Sequence, residues 1–310
     1  MEAHGINLGH GFVKAIILDR YGRETPPLIF PAVVAPAPAL VVGALATLPR
    51  VVIDRQPYLV GDAAQGATNP RTDLSQQRMA NPVILPALMQ HIVHQRPING
   101  ERAICVTGLP ATWAQDRGKA QLLGERIRSQ ATHYTTIQVI PEPLGVVYAQ
   151  LLDRDGHVIA DHPWAYGRIG VIDLGHHTVD IAVVDRLHPL ADQLQTYSLG
   201  TARVLTFIQQ CCAAQFDCDL SRHATDHIVR AGQITHAGQN HPLPDTCLQH
   251  LAELGTSLTA RLIDRWGSGQ QLDAILLGGG GAALAPLTDA IQQRFPHAQV
   301  VPDPQLAVAR

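Results

Sequence analysis

The chain has 310 residues, 46% of them hydrophobic, and a formal net charge of −3. That length suits two domains with a core each, and so small a charge argues against a direct nucleic-acid or membrane surface. No apolar run reaches the roughly 18 residues of a spanning helix and no signal-peptide pattern opens the chain, so a cytoplasmic protein is expected. The five cysteines, Cys105, Cys211, Cys212, Cys218 and Cys247, lack C-x-x-C spacing and read as free buried thiols.

In chain order, residues 5–18 read as a β-hairpin, 28–35 and 51–54 as strands, and 58–61 as a strand ending in a turn. The Pro- and Ala-rich stretch 36–49 reads as a loop. Apolar residues at helical spacing over 82–95 and 113–130 flank a strand at 103–107, after which Gly108-Leu109-Pro110 breaks the chain. A strand at 137–140, a break at Pro141 and a helix over 144–152 follow, then a polar segment, 153–167, that reads as an interdomain linker. The pattern restarts with a strand pair at 169–185, helices near 199–214, 224–233 and 245–266, and a strand at 273–277. Two halves that open on matching hairpins point to an internal duplication within an α/β fold.

Three glycine-bearing turns dominate the chemistry. The first lies in Asn7-Leu8-Gly9-His10-Gly11-Phe12-Val13-Lys14, the second in Asp173-Leu174-Gly175-His176-His177-Thr178-Val179-Asp180, and the third is Gly278-Gly279-Gly280-Gly281. Without a Cβ, glycine lets backbone N–H groups approach phosphate oxygens, so two facing hairpins would clamp a triphosphate. Lys14 stands out because 23 basic residues include only two lysines, Lys14 and Lys119, and hence 21 arginines. A compact ammonium after a glycine turn can point at a phosphate, although a chance surface lysine would look the same.

The order of these motifs resembles the actin, sugar-kinase and heat-shock chaperone ATPase superfamily. Within it the chain is most similar to ParM-type or archaeal actin-like plasmid-segregation proteins. The likeness rests on Phe30-Pro31, Tyr58-Leu59-Val60-Gly61, Val106-Thr107-Gly108-Leu109-Pro110, Pro141-Glu142-Pro143, Asp173-Leu174-Gly175, Ser198-Leu199-Gly200-Thr201 and Asp303-Pro304-Gln305. It implies an actin-like fold of two similar, ribonuclease-H-like domains around a nucleotide cleft. Domain I is expected at 1–160 and domain II at 161–310, with the last residues returning to domain I and any closing terminal helix short.

The resemblance also implies a cofactor, ATP or GTP with Mg²⁺, and a set of roles. Glu142, stiffened by its flanking prolines, is expected to orient the attacking water, although a first-turn glutamate would suit a helix dipole as well. Asp173 is expected at the metal and in catalysis, with Thr178 and Asp180 beside it; a solvated strand position is the other reading of Asp180. Gly9, His10, Gly11, Lys14, Gly175, His176, His177, Thr178 and Gly278, Gly279, Gly280 and Gly281 are expected to hold the nucleotide. The three histidines either reach the γ-phosphate, which would bring pH dependence near neutrality, or face solvent.

Asn7 departs from the family, where an Asp completes the metal site. Asn7 is expected at the metal in its place, with Asp173 and Asp180, and an amide leaves that site one charge short, so a slow nucleoside triphosphatase is expected. The expected partners are further copies of the chain in a head-to-tail filament, serving plasmid or DNA segregation or as a cytoskeletal element, and a DNA-bound adaptor protein. A small-molecule kinase of the same superfamily is the alternative, weakened by the lack of an Asn-Asp pair beside Glu142; a non-polymerising scaffold is another.

Overall fold

A computed structural model describes residues 1–38, 48–67, 70, 80–97 and 102–310. Of the loop expected at 36–49, residues 39–47 lie outside the described ones. Packing divides the chain into two units, Met1–Glu142 with Ala309–Arg310, and Pro143–Val308. The division thus falls just after Glu142, the first residue of a helix whose remainder lies in the second unit, whereas the sequence expectation sets it at 160/161. That helix belongs with the second unit because Val146 is buried against Gly278, where a Cβ would come within 2.6 Å of Val146 Cγ2.

In the first unit β1 (Glu2–Leu8) and β2 (Phe12–Leu18) form the expected hairpin, in antiparallel register with Asn7 opposite Lys14 and Leu8 opposite Val13. The strand expected at 28–35 is two strands, β3 (Leu28–Pro31) beside β2 and β4 (Val34–Pro36) in a separate small sheet. Pro31 has no N–H with which to extend the ladder, so the chain leaves one sheet there and joins another. β5 (Arg50–Ile53) and β6 (Gln56–Val60) complete that small sheet, in the order β4-β6-β5.

After the short α1 (Asp62–Gln65) and the apolar α2 (Ile84–Gln95), β7 (Ala103–Leu109) runs parallel to β1. Gly108 and Leu109 do not break the chain as expected; they pair with Ile140 and Pro141 of β8 (Tyr134–Pro141), and Pro110 ends the strand. Pro141 is tolerated because β8 is the edge of the sheet β3-β2-β1-β7-β8. The helix expected over 113–130 is split into α3 (Ala111–Ala114) and α4 (Arg117–Gln130). Asp116 restarts it, its carboxylate capping the backbone N–H of Gly118 and Lys119 at 2.9 and 3.2 Å. Ile6, Val13, Phe30, Leu88, Ile92 and Ile127 pack into one core beneath these elements.

The second unit opens within α5 (Glu142–Leu151), after its first residue, then repeats the hairpin: β9 (Arg168–Leu174) and β10 (Val179–Asp185) are antiparallel, with Asp173 opposite Asp180. β11 (His188–Pro189) and β12 (Gln195–Tyr197) pair with β10. Helices α6 (Ala202–Phe216) and α7 (Arg222–Ala231) lead to a hairpin not foreseen from sequence, β13 (Gln233–His236) and β14 (Gln239–Pro242). Its polar strands hide their period, and the Ala237-Gly238 turn, both residues at positive φ, is the signal that could have found it. α8 (Asp245–Trp266), β15 (Ala274–Gly278), α9 (Ala285–Arg294) and β16 (Ala298–Val300) complete the unit. The segment 153–167 lies inside this unit, where Asp153 accepts hydrogen bonds from the backbone of Asp155 and His157.

The main sheets of the two units share one order. β3-β2-β1-β7-β8 in the first matches β11-β10-β9-β15-β16 in the second, a hairpin followed by two strands parallel to its first member. All five cysteines are free among the described residues, and no described helix is long and apolar enough to cross a membrane.

A buried polar cluster lies in the first sheet. His4 is 1% exposed, with Nδ1 2.9 Å from Tyr134 Oη and Nε2 3.5 Å from Glu2 Oε2. A neutral imidazole protonated at Nε2 satisfies both neighbours. Burial lowers the His4 pKa against a smaller opposing pull from Glu2, and burial lowers that of His91 too. The unfolded chain therefore takes up these protons first, and stability is lost as pH falls below the ordinary histidine value of about 6.5. His4→Gln is expected to shrink the fall in melting temperature between pH 7 and pH 5; an unchanged fall would exclude this origin.

Candidate functional site: two polar hairpin ends

In the first unit the site is built on the end of β1. Directly opposite residues of an antiparallel pair lie on one face, so the register alone sets Asn7 beside Lys14. Lys14 Nζ donates to Asn7 Oδ1 at 3.1 Å, and Asn7 Nδ2 donates to Glu142 Oε1 at 2.9 Å. The amide is thus polarised along a line from cation to carboxylate. Glycines make the room: a Cβ on Gly9 would lie 2.9 Å from Asn7 Oδ1, and one on Gly108 would lie 2.6 Å from Glu142 Cγ. Asn7 is 4% exposed, so neither of its polar ends is left to bulk water.

The turn residues are held from outside the hairpin. Gly11 O accepts from Ala32 N at 2.9 Å, and the His10 ring stands edge-on to Trp113 at 6.1 Å. Lys119, the second lysine, lies 5.8 Å over the same indole, a placement that nothing in its sequence context signals.

In the second unit the equivalent positions carry two carboxylates. Asp173 and Asp180 are 5% and 1% exposed, which removes the solvated reading of Asp180. Thr178 Oγ1 donates to one Asp180 oxygen at 2.8 Å and Thr196 Oγ1 to the other at 2.5 Å. Thr196 was missed from sequence because it joins the row only through the pairing of β12 with β10. Across β9, Gly278 lies in register with Asp173. Two buried carboxylates on one sheet face repel unless a cation or proton is shared, so this oxygen-donor set fits a hard divalent ion.

The turn after Asp173 is pinned to the start of α6. Thr201 N donates to Gly175 O, Ala202 N to His176 O and Gly200 N to His177 O, at 3.2, 2.8 and 3.1 Å. These bonds give Ser198-Leu199-Gly200-Thr201 a structural job: Gly200 lacks the Cβ that would strike the His176 and His177 backbone. Gly175 N donates to Asp173 O at 3.1 Å. Burial and the Arg222 charge lower the His177 pKa, so its imidazole is neutral at physiological pH.

The glycine run packs against the same turn. Gly279 has φ 79 and ψ 167, and a Cβ there would run into the Asp173 carboxylate and come within 2.6 Å of Leu174 O. Gly281 sits 2.9 Å from Leu174 O by the same measure, and Gly279 N donates to Pro304 O at 2.8 Å. Arg230 Nη1 donates to Gly280 O at 3.0 Å while Asp226 holds its Nε at 2.7 Å. That clamp was also missed, although its i,i+4 spacing on α7 is readable. The second unit therefore gathers Asp173, Gly175, Thr178, Asp180 and the glycines 278–281; the first gathers Asn7, Gly9, Lys14 and Glu142.

The description "Actin like proteins N terminal domain" matches residues 5–145, and "Archaeal actin homologue MreB-like, C-terminal" matches residues 171–292. The chain belongs to the actin-like ATPase superfamily. No curated protein matches its sequence. This actin-like chain is similar in structure to the archaeal actin homologue Ta0583 in complex with ADP, with TM-score 0.76 and 16% identity over 100% of this chain and 97% of that one. It is similar to ParM in a 15-stranded filament from Clostridium botulinum, with TM-score 0.72 and 17% identity over 99% and 96% of the two chains. It is similar also to MamK in a double helical filament, with TM-score 0.69 and 16% identity over 99% and 96%. At such identities the likeness establishes the actin-like fold.

The Gly279 conformation lies in a region open essentially to glycine, so Gly279→Ala should cost about 1 to 3 kcal/mol of unfolding free energy. Urea denaturation is the check. An unchanged midpoint would mean that the turn relaxes without loss.

Proposed function

We propose that the chain is a ParM-like nucleoside triphosphatase that binds ATP or GTP with Mg²⁺ and assembles head-to-tail into nucleotide-dependent filaments. The carrying observation is the pair of hairpins with opposite chemistry at matching positions, Asn7 with Lys14 in one and Asp173 with Asp180 in the other. Phosphate oxygens call for an ammonium and close-approaching backbone; a magnesium ion calls for carboxylate oxygens. The turns at Gly9-His10-Gly11, Gly175-His176-His177 and Gly278–Gly281 are assigned to the nucleotide.

Asp173 would hold the magnesium ion, with Asp180 oriented beside it by Thr178 and Thr196. When bound, the ion would neutralise phosphate charge. Asn7 was included among the expected metal ligands; its engagement with Lys14 and Glu142 supports a bridging role instead. Lys14 supplies positive charge at the first turn. Glu142, seated at the start of α5 and held by Asn7, orients the attacking water and accepts its proton.

Self-assembly is supported by the filament structures of the ParM and MamK relatives, and nucleotide use by the ADP complex of Ta0583. The reading extends to a DNA-bound adaptor and a role in plasmid segregation in the cytoplasm, for which the ParM likeness is the support.

Labelled ATP or GTP should bind saturably below millimolar concentration. Asp173→Ala should weaken binding about tenfold or more in Mg²⁺ and little in its absence, since a charge-assisted contact is worth about 1.5 to 3 kcal/mol. An affinity unaltered by both the mutation and the metal would remove this assignment. In sedimentation with nucleotide, Glu142→Ala should assemble like the parent but release phosphate far more slowly and stay pelleted longer. Polymers as short-lived as the parent's would make Glu142 structural.

A further inference from the structure

The family resemblance leads one to expect an acidic residue where Asn7 stands, and the geometry around it is more specific than a lost charge. Its oxygen receives the Lys14 ammonium at 3.1 Å and its NH₂ group donates to Glu142 at 2.9 Å. An amide is suited to that place because it has an acceptor at one end and two donors at the other. A carboxylate there would set a second acceptor against Glu142 Oε1. Burial makes the match consequential, since a buried acceptor facing another acceptor loses its hydrogen bond with no water to replace it. The support beneath is rigid: β1 is the central strand of its five-stranded sheet, and Gly9 and Gly108 leave space that any side chain would fill.

We propose that Asn7 is a positioning residue for Glu142, its amide aligned by Lys14 so that the NH₂ group holds the glutamate carboxylate in the orientation used for hydrolysis. This rests on the reading of Glu142 as the water-orienting group. Asn7 then acts through Glu142 and not as a weak substitute for a metal ligand.

The test is steady-state phosphate release by the full chain as parent, Asn7→Ala, Glu142→Ala and the double variant, with Asn7→Ser as a milder change should the alanine variant fold poorly. Loss of one charge-assisted hydrogen bond should lower kcat about tenfold in Asn7→Ala and leave KM within about threefold. In the Glu142→Ala background the same change should alter kcat by less than about twofold, because the group it positions is gone. An equal fall in both backgrounds would give Asn7 a task of its own and overturn the proposal; so would an Asn7→Ala chain as fast as the parent. If Glu142→Ala turnover is too slow to measure, a donor–acceptor exchange decides. Asn7→Asp should lower the melting temperature and kcat, and adding Glu142→Gln should recover the melting temperature by restoring a donor facing an acceptor. Failure to recover would overturn the proposal. A parent that binds nucleotide without turnover would overturn the hydrolytic reading, and this proposal with it; a parent that turns over isolates the outcome to Asn7.

Discussion

The structure depends on one constraint of antiparallel pairing: residues directly opposite each other must share a face of the sheet. At the end of each hairpin that rule sets a polar pair inside an otherwise apolar layer, Asn7 with Lys14 and Asp173 with Asp180. Buried polar groups must be satisfied where they stand, so each pair recruits neighbours from other elements. Glu142 comes from the start of α5, Thr178 from the hairpin turn and Thr196 from β12. The same strand order in both units thus produces two differently charged ends. One carries a cation bridged to a carboxylate through an amide; the other carries two carboxylates fixed by hydroxyls.

Glycine sets the space in which this happens. Gly108 and Gly278 lie near the ends of corresponding parallel strands in the two sheets, one against Glu142 and the other against Val146 and opposite Asp173. A β-carbon at Gly108 would strike the Glu142 side chain, and one at Gly278 would strike Val146 of α5. Gly279 is constrained twice, by its backbone angles and by the Asp173 carboxylate lying where a side chain would be. The glycine-rich turn is therefore tied to the geometry of the acidic pair as much as to any ligand that approaches it.

Much of this was readable along the chain, for physical reasons that are local. The two hairpins at 5–18 and 169–185 announced themselves by apolar runs on either side of a glycine turn, and α2 and α4 by their helical spacing of apolar residues. Where the reading failed, a partner distant in sequence decided. Gly108 and Leu109 look like a chain break, yet β8 lies alongside and keeps them in the ladder. Residues 28–35 look like one strand, yet Pro31 ends one ladder and a different partner, β6, takes up Val34. The helix over 113–130 was recognised but its interruption at Asp116 was not, because a cap depends on a side chain turning back to the backbone.

The sequence by itself determined which residue types stand near each turn: Asn7 and Lys14 about the first, Asp173, Thr178 and Asp180 about the second, four glycines in the third. It also carried the family likeness, since the order of motifs survives where identity does not. Only the tertiary structure decided what those residues are to each other. That Asn7 spans Lys14 and Glu142, and that Thr196 and Thr178 together cap Asp180, follow from contacts across 135, 7, 16 and 2 positions of chain. Period and punctuation report on neighbours a few residues apart; a hydrogen bond between two strands or from a strand to a helix has no such trace, because its geometry comes from how the sheet is assembled.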